Sequence, residues 1–295
     1  KPVRLLVGFA AGGGTDIQAR ILAPHLADAL GVPVVVENKP GASTMLAAQE
    51  VARAAPDGHT ILYTFSGTMT QNPHTLANVP YDPFRDFTPL SLGAVGQNVL
   101  VVHASIPATD VKSLVAWSKA NPGPIAIANY GVGTSAHIFA EIFSRRTGIP
   151  VTHVPYKGTG DAQKDLLSGR VQGMFDATNS AIPNAQTGRV RIIGVAAPTR
   201  SPFLPDVPTF AEQGVPGIDL IGWLAFYGPA NLPPETVAKL NAAIVKALAA
   251  PEVKEGFARG AYEAKSSSPE ELAAWTRDFY DRWGRVVKEL GVLPQ

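Results

Sequence analysis

Val3-Arg4-Leu5-Leu6-Val7-Gly8-Phe9-Ala10-Ala11-Gly12-Gly13-Gly14-Thr15-Asp16-Ile17-Gln18-Ala19-Arg20-Ile21-Leu22 joins a short apolar run, a glycine cluster and a segment with helical spacing that continues through Leu26 and Leu30. It reads as strand, glycine loop and helix, the opening of a βαβ unit. Gly31 stops the helix, and Val32-Pro33-Val34-Val35-Val36 resumes as a buried strand that gives way to Glu37-Asn38-Lys39-Pro40-Gly41. A second helix is expected from Ser43 to Ala55 and a third strand from His59 to Phe65.

The same order recurs further along. Pro124-Ile125-Ala126-Ile127-Ala128 is a strand, Tyr130-Gly131-Val132-Gly133-Thr134-Ser135 a glycine loop, and Ala136 to Thr147 a helix closed by Gly148. Ile149-Pro150-Val151 then repeats the apolar-Pro-Val restart of the first half, a helix spans Gly160 to Ser168, and Val171 to Asp176 is the third strand. Two βαβαβ halves with right-handed crossovers imply two parallel sheets, each flanked by helices. β-rich stretches at Val95–His103 and Leu220–Tyr227 carry the chain between the halves. Two helices close it, Pro234 to Ala249 and Pro269 to Leu290, the latter opened by the capping box Ser268-Pro269-Glu270-Glu271. The expected lobes are residues 1–99 with 224–295, and 100–223, hinged at two crossings.

Composition removes several classes of function. A net charge of +1 lacks the basic footprint of nucleic acid binding, and the absence of Cys excludes disulfides, thiolate metal sites and a cysteine nucleophile. No apolar window is long enough to span a bilayer. The chain opens at Lys1, already close to a strand, as if a signal peptide had been removed upstream. Gly8 and Gly13 have Walker A spacing, but Gly14 stands at the Lys position. Gly131-Val132-Gly133-Thr134-Ser135-Ala136 satisfies G-x-G-x-x-A, yet no Asp or Glu follows the next strand to hold a ribose. In Gly133-Thr134-Ser135-Ala136-His137, the His fills the second Gly position of a nucleophile elbow. The six His residues show no metal-ligand spacing, so neither a metal nor a cofactor is expected.

Ligands of open parallel sheets sit beyond the carboxyl ends of the strands, where both glycine loops lie, and each loop runs into a helix N-terminus that favours an anion. No Arg lies in either loop, so a carboxylate would be held by N–H groups, hydroxyls and water. Asp16 reads either as a helix-start acid or as an acceptor for a ligand hydroxyl or ammonium, and Asp176 either as a ligand contact or a loop cap. Phe9, Phe65, Tyr130, Phe175 and Trp223 stand at strand ends as packing groups or ligand walls, and Lys157 as a turn residue or a contact.

These segments resemble the Bug-type extracytoplasmic solute-binding receptors of tripartite tricarboxylate transporters. The similarity runs through Phe9 to Arg20, Glu37-Asn38-Lys39-Pro40-Gly41-Ala42, Pro56-Asp57-Gly58-His59-Thr60, Pro80-Tyr81-Asp82-Pro83, Pro155-Tyr156-Lys157-Gly158 and Leu204-Pro205-Asp206-Val207-Pro208-Thr209. It implies a two-lobed periplasmic-binding-protein (Venus flytrap) fold of the α/β class, each lobe a mostly parallel sheet flanked by helices. It also implies a monomeric, non-enzymatic receptor, secreted to the periplasm, that binds a dicarboxylate or aromatic carboxylate in the interlobe cleft and delivers it to integral-membrane permease subunits. Carried over residue by residue, the ligand-binding set is Phe9, Ala11, Gly12, Gly14, Thr15, Asp16, Ser66 and Thr68 in one half. In the other it is Tyr130, Gly131, Gly133, Thr134, Ser135, His137 and Asp176. Ala10 and Ala11, where many members have Pro, and Phe65-Ser66-Gly67-Thr68 depart from the family pattern. The alternative reading is a hydrolase-like α/β enzyme acting on a small carboxylic acid.

Overall fold

Leu5, Leu6 and Val7 of the first strand have no exposed surface, so this strand is covered on both faces, as parallel strands between helical layers are. The computed structural model describes residues 1–295. Its strands are β1 (Val3–Val7), β2 (Val34–Asn38), β3 (Thr60–Phe65), β4 (Phe87–Gly96), β5 (Asn98–His103), β6 (Ile125–Asn129), β7 (Val151–Pro155), β8 (Gly173–Ala177), β9 (Val190–Ala196), β10 (Gly222–Pro229) and β11 (Glu263–Ala264). They form two sheets, ordered β11-β4-β10-β3-β1-β2 and β7-β6-β8-β5-β9. The first unit comprises Lys1–Val95 with Gly222–Val286, and the second Gly96–Ile221 with Val287–Gln295.

In the first unit β1 pairs in parallel with β2 (Val3↔Val34) and β3 (Arg4↔Thr60). The helix Gly14–Leu30 lays Ala19, Leu22 and Leu26 on this sheet and packs beside the helices Pro234–Leu248 and Pro251–Arg259 through Ile244, Leu248, Val253 and Phe257. One polar bond fixes its height: the buried Tyr63 hydroxyl donates to Gln18 Oε1 at 2.6 Å, while its ring stacks on Phe226 at 4.5 Å. That bond holds the helix start, and therefore the glycine loop, at the carboxyl end of β1.

The second unit repeats the arrangement, with β6 parallel to both β7 and β8. The helix Ser135–Thr147 buries Phe139 and Phe143 against Phe175 and Phe210, with ring centroids 5.7 to 6.2 Å apart. Both glycine-loop helices end the same way. Gly31 (φ 70°) and Gly148 (φ 74°) take the left-handed conformation and donate their N–H groups to Ala27 O and Ser144 O, which satisfies carbonyls that the helix end leaves open.

Neither sheet is wholly parallel, and besides the short antiparallel pairing of β11 with β4 each sheet takes in one inserted strand. β10 runs antiparallel to β3, and β5 runs antiparallel to both β8 and β9. Each inserted strand reaches its sheet directly from the crossing segment, and its direction is set by that entry and not by a βαβ crossover. The β-rich stretch Val95–His103 holds the end of one strand and the whole of the next, which meet at Gln97 and serve one sheet each. The second helix begins at Met45, not Ser43, because Ala42, Ser43 and Thr44 all have positive φ (47°, 52° and 73°). The helices Val111–Ala120, Thr178–Gln186 and Pro251–Arg259 and strand β9 lie outside the sequence expectations. No helix is long and apolar enough to cross a membrane.

Candidate functional site

The first glycine loop is clamped from below by Asp16. Its carboxylate, only 3% exposed, accepts from Gly12 N at 2.8 Å, Asn38 Nδ2 at 2.9 Å and Arg20 Nε at 3.0 Å. Asn38 also donates to Phe9 O at 3.0 Å and accepts from Arg20 Nη2 at 3.0 Å. Burial raises the Asp16 pKa, but the Gly12, Asn38 and Arg20 donors together outweigh it and hold the group below the ordinary carboxylate range. The carboxylate is therefore engaged by donors inside the loop. Above it the helix start is open. Gly13 provides no side-chain cap, and Ala11, Gly12, Gly13 and Gly14 are exposed, so the N–H groups of Gly14, Thr15 and Asp16 point outward without helical acceptors. Phe9 is half-buried against the core of the unit.

Two further segments converge on this loop. A Cβ on Gly8 would lie 2.8 Å from Thr44 Cβ, so only glycine admits the left-handed turn after β2. Thr44 Oγ1 in turn meets Thr68 Oγ1 at 2.6 Å, and Thr68 meets Thr64 Oγ1 at 2.8 Å, all buried. Ser66 donates its N–H to Trp223 O at 2.7 Å, and Trp223 N reaches Ser66 Oγ at 3.4 Å. Ser66 and Thr68 thus support the loop ends of β1 and β3 through hydroxyls engaged within the unit. Arg20, Asn38 and Thr44 belong to this constellation and went unassigned from sequence. The available signal was the acid-to-Arg spacing of one helical turn between Asp16 and Arg20.

A cavity of about 690 Å³ adjoins this constellation at Asn38 and is otherwise lined by Arg4, Lys39, Glu50 and Arg53 among others. It is not the anion site: Arg4 is paired with Glu37 and Glu50, and Lys39 with Glu50.

The second loop caps itself more fully. Asn129 Oδ1 accepts from Gly131 N at 3.0 Å, Thr134 Oγ1 donates to Gly131 O at 2.7 Å, and His137 Nδ1 accepts from Gly133 N at 3.3 Å. Gly131 and Gly133 have φ of 131° and 82°, a path that side chains resist. The Thr134 proton is spent on the loop carbonyl, and its oxygen faces His137 N as the helix cap. Ser135 carries the other hydroxyl of this helix start. Burial, then the neighbouring His153, lower the His137 pKa, so the ring is neutral at pH 7 and can accept from Gly133.

Asp176 is buried at the end of β8, where Oδ1 accepts from Ala177 N at 2.8 Å and Oδ2 from Gln163 Nε2 at 2.9 Å. Burial raises its pKa more than these donors and the Ser180 hydroxyl lower it. Of the aromatic residues considered, Phe175 and Trp223 have no exposed surface and are core groups, and Tyr130 packs on the core of its unit. Lys157 is an exposed turn residue.

Two α/β units that each aim a glycine loop from the carboxyl end of a central parallel strand define a solute-binding protein of the periplasmic class. The chain belongs to the tripartite tricarboxylate transporter family of receptors, whose family model matches residues 18–292. It is similar over 100% of its length, and 99% of the other chain, to the periplasmic binding protein BugD (33% identity, TM-score 0.83). The structure of Rpa4515 from R. palustris with adipate matches 100% of this chain and 98% of its own (32% identity, TM-score 0.87). That of MatC from Rhodopseudomonas palustris with bound malate matches 97% and 98% (33% identity, TM-score 0.81).

Proposed function

We propose that this receptor binds a small dicarboxylate in the periplasm and hands it, chemically unchanged, to integral-membrane permease subunits. The observation that carries the reading is the uncapped start of the helix Gly14–Leu30. Its outward N–H groups sit at the positive end of the helix dipole, and the nearby acid that would repel an anion is paired with Arg20 and hydrogen-bonded by Asn38. The second loop adds the helix-start amides and hydroxyl around Ser135. A helix start of this kind suits a carboxylate, and two related structures hold the dicarboxylates adipate and malate. An aromatic carboxylate fits less well, since Phe175 and Trp223 are wholly buried and Phe9 and Tyr130 are committed to packing.

The test is a thermal-shift screen of ligand-free protein with adipate, malate, benzoate, glutamate and glucose. A dicarboxylate at a hundredfold excess over its Kd adds about 2.7 kcal/mol, a rise in Tm of several degrees, and NMR of the mixture should show the acid unaltered. A response confined to glucose would overturn the anion reading, and conversion of the acid would turn the receptor into an enzyme.

A further inference from the structure

Behind the second glycine loop, the fold brings together three metal-ligating side chains that are scattered in sequence. His137 and Glu141 stand one turn apart on the helix Ser135–Thr147, and His153 projects from the adjacent β7. One potential ligand atom from each lies within 4.8 Å of the other two, and all three residues are half-buried. We propose that His137, Glu141 and His153 form a binding site for a first-row divalent metal ion, zinc being the best match.

The chemistry of the donor set selects the ion. Two imidazoles and one carboxylate suit zinc and its neighbours, whereas calcium and magnesium take oxygen ligands almost exclusively. His153 Nε2 and Glu141 Oε1 are already 3.1 Å apart, close to the edge of about 3.3 Å for a tetrahedron with metal–ligand bonds of roughly 2.0–2.1 Å. The two rings lie edge to face with centroids 4.7 Å apart, so small side-chain rotations close the remaining distance. Competing bonds are few. The second nitrogen of His153, Nδ1, is buried with no hydrogen-bond partner, so the one bond of that ring a metal would replace is the Nε2 contact with Glu141. Glu141 Oε2 meets Arg145 Nε at 3.5 Å, but the Arg145 side chain is 56% exposed and leaves Oε1 to the metal. A fourth position is supplied by water from the exposed side, as in zinc sites with three protein ligands.

The site touches the glycine loop at His137. His137 Nδ1 faces the Gly133 N–H, which makes Nε2 the ligating nitrogen. A neutral imidazole bound to metal through Nε2 carries its proton on Nδ1, and that N–H cannot accept from Gly133. Metal binding therefore exchanges the His137–Gly133 bond for a metal bond.

Isothermal titration of ZnCl2 into untagged, metal-stripped protein without any carboxylate tests the site independently of the receptor reading. One ion per chain is expected, with at least tenfold weaker binding in Glu141→Gln and His153→Gln and unchanged binding in His59→Gln, which alters a surface residue of the other unit. Absence of binding at submillimolar zinc, or equal binding by His153→Gln and the parent, would overturn the proposal. If a variant fails to fold, diethylpyrocarbonate modification of the parent reads the same site. Zinc should protect His137 and His153 but not His25 or His59, and equal modification with and without zinc would refute it.

Discussion

Replacing Asp16 with Asn tests the idea that a buried carboxylate, and not the glycine sequence alone, shapes the first loop. Three donors converge on it, from Gly12, Asn38 and Arg20. The Arg20 side chain is 53% exposed, which reduces that ion pair to about 0.5 kcal/mol. The bonds from Gly12 and Asn38 reach a charged acceptor shielded from water and contribute about 1.5 kcal/mol each. Asn keeps one acceptor oxygen but turns an NH2 group towards donors, so roughly 2–3 kcal/mol should be lost. For a unit of this size each kcal/mol moves Tm by about 2–4 °C, giving a fall of roughly 4–12 °C. Tryptophan fluorescence is a suitable monitor, because Trp223, Trp275 and Trp283 lie in the first unit and only Trp117 in the second. The pH dependence provides a sign check. A carboxyl held below its ordinary pKa stabilises the fold above that value, and the contribution disappears as pH falls through the depressed one. The gap between parent and variant should therefore be full at pH 7 and shrink in acid. A variant that melts with the parent yet binds dicarboxylate tenfold more weakly would refute the reasoning, since Asp16 would then be a ligand contact and not a clamp.

Ser135→Ala should weaken dicarboxylate binding about tenfold, the loss of one hydrogen bond to a charged group, with little change in Tm. Thr134→Val should instead lose about 1 kcal/mol of stability as a removed helix cap, and calorimetry with urea titration separates the two. Burial raises the Asp176 pKa, so the folded state is penalised as pH climbs past the ordinary carboxylate value. Asp176→Asn should match the parent near pH 3 and gain on it in Tm by pH 7, and an unchanging difference would contradict that account.

The sequence by itself determined the elements whose causes are local. Apolar runs followed by glycine marked β1 and β6, helical spacing ended by Gly31 and Gly148 marked the two loop helices, and Ser268 with Glu271 formed the expected capping box, with bonds of 3.1 and 3.3 Å. The ordered set of turn motifs was enough to indicate the family. Tertiary structure decided what depends on neighbours remote in sequence. The antiparallel insertion of β5 and β10 comes from where the crossing chain enters each sheet, which periodicity does not encode. The positive-φ turn at Ala42–Thr44 follows Gly41 (φ 124°), but its three non-glycine residues are held in that conformation by packing against Gly8 and by the Thr68 hydroxyl. Asp16 and Asp176 were equally ambiguous as acids at loop ends. Their opposite pKa directions arise because one meets Arg20 and Asn38, the other only neutral donors in a drier place. His137, Glu141 and His153 met because a helix and the next strand cover one another, and distance along the chain carries no record of that.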